Sequence, residues 1–110
     1  MNFPSFLMAE ETYEIELEDV GEKLEQVKVS NLVREELAKR KIISEGQSVV
    51  VPEGAYEEEA DKYGYIYFRY PFEVFEEKGQ EILFTGTAYG KALPTREIMY
   101  MTIEIPTNRE

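Results

Sequence analysis

The chain has 110 residues, with 23 acids against 12 bases and no Cys, His or Trp. That length fits one domain with one real core, and 43% apolar with 32% charged residues is a globular composition rather than a disordered one. The missing types exclude disulfides, thiolate or imidazole metal sites, iron–sulfur clusters, haem ligation by His and catalysis by Ser-His or Cys-His pairs.

Residues 1–10 are apolar but irregular, and Pro4 bars early helix propagation. Phe3, Phe6 and Leu7 would sit in water unless they pack, so this segment is expected to be an arm docked on the chain itself or on a neighbouring subunit. Its short apolar stretch has no basic region ahead of it, so no signal peptide is expected. No run approaches the roughly 18 apolar residues of a membrane span. A cytoplasmic protein that does not enter the membrane is the expectation.

Residues 12–18 alternate cleanly: Tyr13, Ile15 and Leu17 face one way, Glu14, Glu16 and Glu18 the other, as in a half-buried strand. Asp19-Val20-Gly21 breaks it. Residues 23–29 read as a second strand through Val27 and Val29, although Leu24 and Val27 at i, i+3 would suit a helix. A helix is expected over residues 30–41, with Ser30 or Asn31 as its cap, Glu35 and Glu36 early, and Lys39, Arg40 and Lys41 late. Leu32, Val33, Leu37 and Ala38 would be its packing stripe, and Ser44-Glu45-Gly46 its stop. Val49–Val51 is a short strand, and residues 55–62 an acidic connection with at most one helical turn.

Residues 63–75 hold seven of the fourteen aromatics. Ile66, Phe68, Tyr70, Phe72 and Val74 make one continuous apolar face; Tyr65, Tyr67, Arg69 and Glu73 make a mixed one. Pro71 cannot donate to a ladder, which places it at an edge or a bulge. A hairpin loop at residues 76–80 leads to a return strand at 81–91, where Gly86, Ala88 and Gly90 leave room for large neighbours. After a turn at Leu93-Pro94-Thr95, residues 97–105 form a last strand with Met99, Met101, Ile103 and Ile105 on one face. The sum is an α+β fold: a mainly antiparallel sheet of five to six strands, including a C-terminal three-stranded meander, with one covering helix.

The net charge of −11 is uneven. Residues 23–41 carry six bases against three acids, a local +3 that leaves −14 on the rest. Lys28, Arg34, Lys39, Arg40 and Lys41 are the residues a nucleic-acid-binding role would use. The acidic remainder is ordinarily a solvated surface, and its functional reading is a nucleic-acid mimic facing a basic partner. Of the acids 21 are Glu, while Asn and Gln number three each; that is the bias of hyperthermophilic proteins, and it suits a small accessory protein of a virus, phage or thermophilic archaeon.

Only carboxylates, amines and hydroxyls remain for chemistry. Asp61 followed by Glu73, or by Glu76-Glu77-Lys78, resembles the acid, acid-x-Lys arrangement of metal-dependent nucleases, which hold Mg²⁺ or Mn²⁺. Glu76 and Lys78 fall in an expected hairpin loop, however, and Glu-x-Lys recurs by chance in a Glu-rich chain. No Gly-rich phosphate loop is present. No catalytic residue, metal or cofactor is therefore assigned. The expected function is protein–protein contact, in a homo-oligomer such as a dimer or with another protein, through Tyr65, Tyr67, Arg69 and the arm residues Phe3, Phe6 and Leu7.

Overall fold

Period-2 alternation along the longer strands gives them an apolar face, and the fold is built by laying those faces side by side in one sheet beneath a helix. The computed structural model describes residues 11–78 and 81–107, so the expected arm with Phe3, Phe6 and Leu7 lies outside the described residues. The elements are β1 (Thr12–Glu18), α1 (Gln26–Lys39), β2 (Ser48–Val50), β3 (Glu57–Ala60), β4 (Ile66–Phe75), β5 (Ile82–Ala92) and β6 (Ile98–Pro106). The six strands form a single antiparallel sheet in the order β1-β6-β5-β4-β2, with β3 also pairing on the outer edge of β4. This is the expected α+β architecture with its C-terminal meander, one helix packing on the sheet at β2 and β4.

The helix starts earlier than the sequence pattern predicts, and the predicted strand at residues 23–29 is absent. Lys23 makes only an isolated bridge to Glu97, and Gln26–Val29 are helical. The reason is tertiary. Val29, Val33 and Leu37 recur at i, i+4, i+8 and are all fully buried, and that stripe outweighs the β preference of Val27 and Val29. Val27, off the stripe, is 66% exposed. Glu25 in extended conformation is the N-cap residue, without a side-chain cap bond. Ser30, an expected cap, lies inside the helix and donates its hydroxyl to the Val27 carbonyl at 2.9 Å.

The helix also ends before Ser44-Glu45-Gly46. The Lys41 amide donates to the Ala38 carbonyl and the Ile42 amide to the Leu37 carbonyl, both at 2.9 Å. This is the Schellman pattern, with Lys41 in the left-handed region at φ 62° and Ile42 packed against the core. A lysine holds the position where glycine is least strained.

Strand β4 buries Ile66, Phe68, Tyr70, Phe72 and Val74, as its pattern requires. On its outer edge β3 pairs with Ile66–Arg69 and β2 with Glu73–Phe75. Pro71 falls in the gap between them, so its missing N–H costs no ladder bond. Gly86 and Gly90 are small because the sheet closes on them. A methyl group at Gly86 would lie 2.5 Å from Phe72 Cζ and 2.5 Å from the Glu104 carbonyl oxygen. At Gly90 it would meet the Tyr100 carbonyl and lie 2.9 Å from Met101 Cα. On β6 a register irregularity opposite Lys91 and Ala92 pairs Ala92 with Ile98 and skips Met99. Ile98 rather than Met99 is therefore the buried residue beside Met101, Ile103 and Ile105.

Strand β3 occupies the predicted acidic connection. Its sequence, Glu-Glu-Glu-Ala, has no apolar face and low β preference. A polar tie holds it. Glu58 accepts hydrogen bonds from Arg96 Nη1 at 3.1 Å and Nη2 at 2.9 Å, and from the Tyr70 hydroxyl. Arg96 Nη2 also donates to the Leu24 carbonyl at 2.7 Å. Tyr70 is 1% exposed, with the Tyr56 ring stacked on it at 4.5 Å between centroids. The Arg96 hydrogen bonds, with help from the Tyr70 hydroxyl, hold the Glu58 carboxyl below its ordinary range. Burial, then Glu58, pushes the Tyr70 phenol up.

Three outcomes are expected. Glu58→Ala leaves the Tyr70 hydroxyl and the Arg96 guanidinium without their shared acceptor and should cost about 1–3 kcal/mol in urea unfolding, more than Tyr70→Phe, which removes only a donor. The folded-state pKa of Glu58 lies below its unfolded value. Its stabilisation is thus present at neutral pH and lost as pH falls through the carboxylate range, so the thermal midpoints of wild type and Glu58→Gln should converge between about pH 5 and pH 3. Lys41→Gly relieves the left-handed strain and should raise stability by about 0.5–1 kcal/mol, read from the urea midpoint.

Candidate binding face on the open side of the sheet

Because strand side chains alternate, the residues between the buried positions all point away from α1. The strand registers place them in rows across the sheet. One row runs Glu16, Thr102, Tyr89, Arg69, Glu57 from β1 to β3; the next runs Glu18, Tyr100, Lys91, Tyr67, Glu59. A third holds Glu14, Glu104, Thr87 and Pro71. Tyr67 is 45% and Tyr100 44% exposed, and the one helix among the described residues packs on the opposite face. The result is a centre of tyrosines and two cations between glutamate rims, about 19 Å from rim to rim at four strand spacings.

Polar contacts organise this centre. Lys91 Nζ lies 4.6 Å from the Tyr65 ring centroid and 5.4 Å from that of Tyr67, a cation held over two aromatic faces. Hydrogen bonding with the Tyr67 hydroxyl raises the Lys91 pKa. Tyr89 donates its hydroxyl to Glu14 Oε2 at 3.2 Å; partial burial, then the charge of Glu14, pushes its pKa up. At the β1 edge, Glu16, Leu17, Glu18, Tyr100 and Thr102 line a depression of about 250 Å³.

The structure brings together the three sheet residues singled out in the sequence. Tyr67 and Arg69 stand on the open face of β4, and Tyr65, just ahead of that strand, meets the same Lys91. Tyr89, Lys91, Tyr100 and both glutamate rims were not singled out. Alternation of Tyr89 and Lys91 with small residues along residues 86–92 was the signal for two of them; the rims become visible only when the strand order is known.

The basic residues of the helix region do not form one surface. Lys28 pairs with Glu22 at 3.4 Å. Arg40 pairs with Glu36 at 2.7 Å and donates to the Tyr13 hydroxyl at 3.2 Å. At 3.6 residues per turn, Lys28 and Lys39 fall on one side of α1 with Glu35 along the same line, while Arg34 lies about 120° round the helix. Lys41 is in the turn beyond it.

The acid, acid-x-Lys set is also dispersed. Asp61 Oδ1 accepts the Tyr63 amide at 2.9 Å and the Tyr65 amide at 3.0 Å, closing the turn into β4. Glu76, Glu77 and Lys78 follow the far end of that strand, about 30 Å away along ten residues. Among the described residues no three carboxylates are placed as metal ligands, and no helix is long and apolar enough to cross a membrane. No protein-family model matches the chain, and no curated protein or solved structure matches it either.

Proposed function

We propose that the protein works by binding a protein partner on the open face of its sheet. The observation that carries this reading is the grid of exposed Tyr67, Tyr100 and Arg69 with half-buried Tyr89 and Lys91, on a six-stranded scaffold whose other face is its core. Tyrosine and arginine are the residue types that anchor protein interfaces, and Tyr supplies contact area with a hydroxyl handle at low entropic cost. Placement on paired strands fixes the side chains more tightly than loops would. A nucleic-acid role is less well supported, because the basic residues around α1 are partly paired and point in different directions.

The test is residue-resolved. Amide resonances of the full chain are followed during titration with a panel of short peptides of differing charge and with single- and double-stranded oligonucleotides. Binding to peptides should shift resonances on the open face of β1, β4, β5 or β6, and should be lost in Tyr67→Thr/Tyr89→Thr/Tyr100→Thr, which keeps strand-forming residues in the sheet. It should persist in Lys39→Glu/Arg40→Glu/Lys41→Glu. Shifts confined to α1, induced by oligonucleotide and abolished in the helix variant, would establish the nucleic-acid reading instead. A dimer by light scattering that the tyrosine variant dissociates would make a second copy the partner.

A further inference from the structure

Charge is not evenly balanced over the open face. On the β3 side Glu57 stands directly opposite Arg69, and Lys91 lies beside Tyr67 and opposite it in register. On the β1 side Glu14, Glu16 and Glu18 stand along one strand, with Glu104 opposite Glu14. No described ion pair involves a glutamate of either rim, but the inner neighbours of Glu16, Glu18 and Glu104 in register are Thr102, Tyr100 and Thr87, none of them a cation. A row of unbalanced carboxylates therefore runs along the β1–β6 half, beside the exposed ring of Tyr100.

We propose that this half of the face docks an extended segment of a partner protein that carries lysine or arginine at alternate positions. The proposal rests on the open face being a protein-binding surface and names the chemistry of what it binds. The spacing carries it. Glu14, Glu16 and Glu18 repeat every second residue, about 6.8 Å apart, and the side chains on one face of an extended peptide repeat at the same distance. Three cationic side chains of such a segment can each meet one carboxylate. The depression of about 250 Å³ between Glu16, Glu18, Tyr100 and Thr102 has room for one basic side chain. There the ammonium or guanidinium meets two carboxylates and an aromatic ring. Lys91 over Tyr65 and Tyr67 is the same contact made within the chain.

Other occupants fit less well. Phosphate backbones are repelled by the glutamates. A second copy laid face to face would set glutamate rims against each other.

The probe is a blocked octapeptide alternating lysine with threonine, titrated into the full chain at low ionic strength, with a glutamate-for-lysine peptide as control. Resonances of β1 and β6 should shift. Affinity should fall as salt is raised through the screening range. Glu16→Gln/Glu18→Gln should weaken binding about three- to ten-fold, and Tyr100→Leu about two- to five-fold. Glu57→Gln/Glu59→Gln should leave it within about two-fold, because Arg69 stands across from Glu57 and Lys91 lies one strand beyond Tyr67, and both repel a cationic peptide. Circular dichroism melts of the variants confirm folding; the Gln pairs are isosteric and exposed. Failure of the lysine peptide to bind overturns the proposal, and so does equal weakening by the two Gln pairs, which would mean unspecific charge attraction. If a neutral or acidic peptide shifts the open face while the lysine peptide does not, the partner chemistry is wrong and the binding face stands. If no peptide shifts that face, both readings fall.

Discussion

Covering one face of a six-stranded sheet with a single helix forces the two faces into different chemistry, and most of this molecule follows from that asymmetry. The covered face collects Ile15, Phe68, Tyr70, Phe72, Val74, Met101, Ile103 and Ile105 under the stripe of Val29, Val33 and Leu37. Those side chains fix the direction of every alternate residue, because a slip of one position would turn the apolar set outward. The tyrosines, cations and glutamates of the other face thus hold their places because the core holds its own. Any contact surface there is as rigid as the hydrophobic packing beneath it.

The edges meet a second constraint, since an unpaired strand invites another strand to join. Among the described residues strand β1 is one edge of the sheet, and it carries Glu14, Glu16 and Glu18. Two copies joined there in antiparallel fashion would bring glutamates into cross-strand positions, where like charges repel. The opposite edge is divided between the short strands β2 and β3, with the Pro71 gap between them. The glutamates of the β1 border disfavour extension of the sheet by a second copy of the same strand.

How much of this could be read from the sequence depended on the range of the interaction. Where alternation decides, in β1 and β4, the pattern gave the strand and its faces, and the shared side of Tyr67 and Arg69 with it. The start of α1 was misread because Val27 and Val29 favour a strand locally and only burial of Val29 beneath the sheet decides otherwise. The three glutamates of β3 read as a loop because the tie that holds the strand, Glu58 to Arg96, spans 38 positions. Met99 was placed on the core face because a skipped pairing leaves no local trace. The candidate face was half legible: its tyrosines advertised themselves by type, but the glutamate rims depend on pairings between strands far apart in the chain.

The pairing of β1 with β6 sets Thr12 opposite Pro106 and Glu18 opposite Tyr100. Among the described residues, the first of the six strands in the chain therefore has the last as its one sheet neighbour. The meander is made of neighbouring hairpins, whereas burial of Ile15 and Leu17 on β1 requires closure across the whole sheet. Loop closure of that span is a slow, non-local step. A β1 strand not yet paired presents the same glutamates that border the open face, and charge on a free strand disfavours its joining another chain.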